Sequence, residues 1–185
     1  MKRVSILAAS LLLALASTSA FAGEGSGGFI RGEIGETRAD VGSFGDENDT
    51  AFSLRGGYWF NGNIAVEGAY TGHGRGDVDY DYDYEVFSVS AGVALKKNFG
   101  EAPHQGFYVG GRAGLAYTDI ALVDRDGDVD FVDDDKKWAP YFGVGAGYDF
   151  NARFGLGVNY DYQKAEIGNV DVKLRTLTVS GEFRF

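Results

Sequence analysis

A repeat of two residues, running through most of the chain, constrains its fold more than any other feature. From Phe142 to Phe150 the even positions are Phe142, Val144, Ala146, Tyr148 and Phe150, while Gly143, Gly145, Gly147 and Asp149 fill the odd ones. Phe154, Leu156, Val158, Tyr160 and Tyr162 alternate with Gly155, Gly157, Asn159 and Asp161. The same pattern runs through 87–95 and 107–117. Side chains of a strand point alternately to two faces, so this period predicts strands. With 29–36, 51–60, 63–71 and 172–185 the set comes to eight, an even number.

The connections alternate in length. Asn61-Gly62-Asn63 and Asn151-Ala152 are tight turns, and Lys97 to Gln105 is a somewhat longer link. Segments 37–50, 72–85, 119–137 and 164–171 are longer and acidic. Short turns at one end and long loops at the other predict an up-and-down antiparallel barrel. Gly57-Tyr58-x-Phe60-Asn61 with Tyr70 recurs 90 residues later as Gly147-Tyr148-x-Phe150-Asn151 with Tyr160. One hairpin design used twice supports a single closed sheet.

Residues 1–22 carry the parts of a secretory signal peptide. Lys2 and Arg3 form a basic start, an apolar run spans Ile6 to Ala16, and Ala20-Phe21-Ala22 is a small-x-small cleavage pattern. The barrel domain is then expected over 23–185, and loss of Lys2 and Arg3 takes the net charge from -10 to -12. No later run reaches the ~18 apolar residues of a transmembrane helix. With no Cys and only His73 and His104, disulfides, Cys-ligated zinc and multi-histidine metal centres are excluded. The acidic balance argues against nucleic acid, whose phosphates it would repel.

The two faces decide the surroundings. One phase of each strand is bulky and apolar; the other is mostly Gly, Ser and Ala, interrupted by Arg31, Glu33, Arg55, Glu67, Arg112, Glu182 and Arg184. A water-facing phase would be rich in Lys, Glu and Thr. Small residues with mixed charges suit the crowded interior of an eight-stranded barrel, where the ions must pair across the lumen. The apolar phase then faces lipid. Tyr58, Phe60, Tyr148, Phe150 and Phe154 at the short-turn end, and Tyr117, Trp138, Tyr160 and Tyr162 toward the long loops, would form two aromatic girdles. Export plus a closed sheet implies the bacterial outer membrane, because open sheets leave backbone groups unsatisfied in lipid.

The chain resembles the small outer-membrane β-barrel family: the OmpA transmembrane domain, OmpX and the opacity-type porin-like proteins. The resemblance spans about Gly28 to Phe185. Its most specific element is the C-terminus, where Leu177, Val179, Gly181, Phe183 and Phe185 alternate up to a final aromatic. Val179, Gly181, Phe183 and Phe185 resemble the family's assembly signal, which implies the outer-membrane insertion machinery as a partner during biogenesis. One residue lies between Gly181 and Phe183, where the family's pattern has two. The resemblance extends to the barrel alone, so the peptidoglycan-binding role of OmpA is not expected here.

The acidity sits in the long connections, with net charges of -4 in 36–49, -4 in 71–85, -5 in 119–137 and -1 in 163–171. An acidic crown solvates the loops and resists aggregation. Asp124, Asp126, Asp128 and Asp130 alternate around Gly127 like part of a calcium loop, without the closing Glu at position twelve. They are a weak metal candidate, and no cofactor is expected. The run Asp77 to Glu85 also alternates, predicting a hairpin that continues past the membrane, its acidic residues in the outward phase unless a bulge shifts the register.

Lys173 and Arg175 share the outward phase of Leu177. At the 3.2–3.4 Å rise of a strand tilted ~45°, ten residues climb roughly 24 Å, which puts Arg175 at the outer interface. Contact with lipopolysaccharide phosphates and snorkelling to water are both open there. Catalysis finds little support: His104 lies in a short-end link, and His73 is placed in a glycine-rich loop without a nearby Ser. The sequence thus predicts a monomeric barrel with a structural or surface-interaction role among outer-membrane lipids and lipopolysaccharide. A narrow porin-like channel for small solutes or ions is the rival reading, and a lipid A-modifying enzyme a third.

Overall fold

The computed structural model describes residues 25–40, 46–79, 82–124, 129–131, 138–167 and 170–185. The strands are β1 (Gly27–Asp40), β2 (Asp46–Trp59), β3 (Ile64–Asp79), β4 (Tyr82–Asn98), β5 (Gly106–Asp124), β6 (Val129–Phe131), β7 (Trp138–Asp149), β8 (Phe154–Ile167) and β9 (Val170–Arg184). Each pairs antiparallel with its neighbours in the order β4-β3-β2-β1-β9-β8-β7-β5, and β4 pairs with β5 to close the ring. Eight strands make the wall. The three-residue β6 pairs only with the far end of β5, Ala121–Val123, outside that ring. The proposed signal peptide lies outside the described residues.

The two repeated hairpins turn by the same device. Asn61 Oδ1 accepts the backbone N–H of Asn63 at 2.8 Å and of Ile64 at 2.9 Å. Asn151 Oδ1 does the same for Arg153 at 2.8 Å and Phe154 at 3.0 Å. A short side-chain amide that mimics a backbone turn is why both motifs end in Asn. These turns, the link 99–105 and both chain ends of the barrel lie at one end; the connections β1–β2, β3–β4, β5–β7 and β8–β9 lie at the other.

The expected long connections are largely sheet: β1 runs to Asp40 and β2 starts at Asp46, β5 runs to Asp124, and only 168–169 separate β8 from β9. The segment 72–85 is not an open loop: β3 continues to Asp79 and pairs through to Tyr82 on β4. Its register shifts between Gly72 and Gly74, so His73 is the extra residue of a bulge, and it is buried rather than carried on a loop. Gly74, at φ +133, takes a conformation that other residues adopt only with strain. A second shift falls between Asp77 and Asp79, while β4 runs unbroken along β5. The side chains of 75–86 lie outside the described part, so the direction of the acidic run is not assigned.

Burial alternates with the sequence period, and it is inverted relative to a water-soluble barrel. Ile34, Val144 and Val179 are 63%, 63% and 58% exposed, while Arg31, Glu33 and Arg112 are buried. The apolar surface therefore forms a continuous outer belt, far larger than a protein surrounded by water tolerates. Inside, the odd positions of β1 give the layers in order. Phe29 packs with Trp59, Ala65 and Ala94 as an apolar cap at the short-turn end. Arg31 and Glu33 belong to an ionic layer, Thr37 to a hydroxyl layer, and Ala39 packs against Val172 and Leu174 near the long loops.

Candidate functional site

The ionic layer fills the lumen. Period two turns Arg31, Glu33, Arg55, Glu67, Arg112, Glu182 and Arg184 inward from β1, β2, β3, β5 and β9, and all seven are buried. Glu33 accepts from Arg112 Nη1 at 2.8 Å and Nη2 at 3.2 Å, and lies 3.5 Å from Arg55 Nε. Arg55 Nη1 reaches Glu67 Oε1 at 2.7 Å, which also accepts the Tyr141 hydroxyl at 3.1 Å. Arg31 donates to Glu182 through Nε at 2.9 Å and through Nη2, and Arg184 Nε meets the other oxygen of Glu182 at 2.5 Å.

Three further members were not expected from the sequence. Lys96 Nζ lies 3.0 Å from Asp149 and 3.5 Å from Glu182. Asp149 also takes Arg184 Nη2 and, at 2.7 Å, Asn98 Nδ2. Asp161 accepts Arg112 Nε at 2.7 Å and Nη2 at its second oxygen. The network then holds five cations (Arg31, Arg55, Lys96, Arg112, Arg184) and five anions (Glu33, Glu67, Asp149, Asp161, Glu182) among the described residues. The seven expected residues alone would leave one positive charge over. A buried charge costs several kcal/mol unless paired, so this neutrality is what lets the lumen carry ions at all.

Glycine makes room for the pairs. A Cβ on Gly143 would collide with Asp161 Oδ1 and lie 2.8 Å from Arg112 Cγ. One on Gly155 would collide with Asp149 and lie 2.7 Å from Arg184 Nη2. At the short-turn end Lys96 also rests over the Trp59 ring at 4.7 Å and the Tyr108 ring at 5.0 Å, which joins the ionic layer to the apolar cap.

Toward the long loops the lining turns to hydroxyls. His73 Nε2 lies 2.7 Å from Ser88 Oγ, and Nδ1 lies 3.3 Å from Thr37 Oγ1, itself 2.7 Å from Thr176 Oγ1. A serine does therefore stand beside His73, contrary to the sequence reading. A hydroxyl, though, occupies the place that a carboxylate holds in a catalytic triad. The cavity here measures about 30 Å³, room for one or two waters.

A model of the outer membrane protein beta-barrel domain family matches residues 8–185. The chain belongs to that family. It is an integral protein of the bacterial outer membrane. No curated protein is significantly similar to it in sequence. Among solved structures it is similar to Neisserial surface protein A, with 17% identity and a TM-score of 0.70 over 88% of this chain and 100% of that one. It is also similar to Ail, the attachment invasion locus protein of Yersinia pestis, with 20% identity and a TM-score of 0.54 over 87% and 100% of the two chains. OprG from Pseudomonas aeruginosa gives 14% identity and a TM-score of 0.56 over 88% and 98%.

In this outer-membrane barrel, Val179, Gly181 and Phe183 stand on the outer face of β9 and Phe185 is exposed just past its end, with Phe183 packed on Phe154 at 5.0 Å. Phe185 closes the strand by donating its N–H to Gly28 O at 2.9 Å. Lys173 and Arg175 stand on the same face near the long-loop end, Lys173 4.0 Å from Asp40. Of the calcium-loop candidates, Asp126 and Asp128 lie outside the described residues. Asp124 ends β5 and Asp130 is in β6, and the backbone alone is described at both. Among the described residues no cluster of His, Asp and Glu is arranged to hold a metal.

Proposed function

We propose that this chain is a sealed membrane body that holds acidic loops at the cell surface, serving envelope integrity or surface interaction. The observation that carries the reading is the balanced ion network, whose members from β1, β2, β3, β4, β5, β7, β8 and β9 meet across the lumen. An eight-stranded interior is just wide enough for side chains to fill it, and here they do. The acidity lies at the end away from the short turns, on the far ends of β1 to β5 and in the connections beyond them, and gives the body something to present.

The channel reading would need an open bore, and the hydroxyl layer leaves only about 30 Å³ beside the plug. Single-channel recording in a planar bilayer tests this. The sealed body predicts no steady conductance steps, and steps that change when Arg112 or Glu67 is neutralised would replace it with a narrow channel.

The role includes no catalysis. His73 and Ser88 are buried inside the wall, and Thr37 supplies no acid. A lipid A profile altered by deletion of the protein would contradict this. The outward aromatics at the C-terminus support recognition by the insertion machinery, so removal of Phe185 should slow assembly.

A further inference from the structure

The strand register brings four cations together on the outer face, where the sequence had marked two. Reading across β1, β9 and β8, Arg38 faces Arg175, and Arg175 faces Tyr162. In the next row Asp40 faces Lys173, and Lys173 faces Lys164. The row below is Glu36, Leu177 and Tyr160. Arg38, Lys164 and Arg175 are exposed, and Lys173 is half-buried.

Two of these rows oppose like charges directly, Arg38 against Arg175 and Lys164 against Lys173. Such pairs sit about 4.5–5.5 Å apart at Cβ and destabilise a sheet. Asp40 offsets Lys173 at 4.0 Å, Asn48 Oδ1 accepts Arg38 Nε at 3.1 Å, Lys164 is engaged in an interaction of its own, and Glu36 adds one carboxylate on the belt side. Arg175 has no ion-pair partner among the described residues. In a chain of net charge -10, a cation such as Arg175, set opposite Arg38 and without an ion pair among the described residues, calls for an anion from outside.

Position selects the anion. The cluster shares the outward phase of Leu177 and Val179 and starts two residues beyond Leu177. Ten residues separate Arg175 from Phe185, a climb of roughly 24 Å, against an apolar band ~25 Å tall in such barrels. Tyr160 and Tyr162 stand in the same rows, as interface aromatics do. The four cations thus sit where acyl chains give way to head groups.

We propose that Arg38, Lys164, Lys173 and Arg175 form a binding site for the phosphates of a lipid A-type glycolipid, with its acyl chains laid on Leu177 and Val179. The site goes beyond the scaffold role and is independent of whether the lumen conducts.

The test uses the folded protein in neutral detergent, with bisphosphorylated lipid A, the same lipid dephosphorylated, and inositol hexakisphosphate as a soluble polyanion. The variants are Arg38→Gln with Arg175→Gln, Lys164→Gln with Lys173→Gln, and Lys97→Gln, an exposed outward lysine at the short-turn end, as the control. Native mass spectrometry should show lipid A retained by the wild type and the Lys97 variant. Retention should fall about fivefold for each cation removed, and the dephosphorylated lipid should bind weakly everywhere.

A second readout separates binding from folding. Without lipid A the Arg38/Arg175 variant should unfold at a higher temperature than the wild type, because repulsion is removed. With lipid A the order should reverse. Equal retention by all variants, or no reversal, would overturn the site. Full displacement of lipid A by inositol hexakisphosphate would overturn its assignment to a lipid.

Discussion

Arg112 on β5 and Glu33 on β1 meet across the lumen as a forked pair, Nη1 2.8 Å from Oε1 and Nη2 3.2 Å from Oε2. Arg112 also holds Asp161 on β8 through two nitrogens, so one guanidinium neutralises a carboxylate from β1, directly across the ring from β5, and one from β8, two strands away from β5. Planar, bidentate pairing is what arginine supplies and lysine does not.

Replacing Arg112 with Met leaves Asp161 without its guanidinium and Glu33 dependent on Arg55 and Arg31. Removing one member of a buried pair costs about 3–5 kcal/mol. Urea unfolding in lipid vesicles should show a loss of that size, whereas Lys97→Ala on the outer face should stay within about 0.5 kcal/mol of wild type. Equal effects of the two would mean that the plug does not hold the wall together.

The paired turns make a second prediction. Asn61→Ala and Asn151→Ala each remove two side-chain-to-backbone hydrogen bonds. At about 0.5–1.5 kcal/mol per bond, each change should lower stability by about 1–3 kcal/mol, and the two should add because the hairpins share no partners. Unfolding midpoints of both single variants and the double variant check this.

A pH dependence follows from His104 in the link 99–105. Its ring packs against Trp59 at 5.3 Å, and its Nε2 lies 2.8 Å from Gly25 O. Burial, then the charge of Lys96, pulls its pKa from 6.5 down to about 4. Between those values the unfolded chain binds a proton that the folded chain excludes. This contribution to stability is complete above pH 6.5 and is lost as the pH falls toward 4. The unfolding midpoint should therefore drop between pH 7 and pH 4.5, and His104→Gln should flatten that slope. An unchanged slope in the variant would contradict the burial of a neutral ring.

Most of the wall was legible because its signal is local. Alternation such as Phe154, Leu156, Val158 against Gly155, Gly157, Asn159 needs only neighbouring residues to assign both strand and face. The same parity carried the seven inward charges. Lys96, Asp149 and Asp161 also obey it, but each stands where another explanation is at hand. Lys96 precedes Lys97 at a strand end, Asp149 precedes a turn, and Asp161 sits among tyrosines that mark the interface. Counting charges on the inward phase would have found them, since neutrality requires them.

His73 failed for the opposite reason. Gly72, Gly74 and Gly76 signal a loop locally, whereas pairing with β4 keeps the segment in the sheet and the bulge turns the ring inward onto Ser88. Which residues of β1, β8 and β9 stand side by side depends on long-range register, so the row of Arg38 and Arg175 could not be read along the chain.

The lipid-facing belt is the claim on which the other functional statements depend, and the absence of native cysteine makes it directly measurable. Single cysteines at Val144, Val158 and Val179, spin-labelled in outer-membrane lipid, would be probed with oxygen and with a water-soluble nickel chelate; a label at Asn61 in the short turn is the reference. The inside-out barrel predicts that oxygen dominates at the three belt positions and the chelate at Asn61. A chelate that reaches Val144 and Val158 as readily as Asn61 would contradict it.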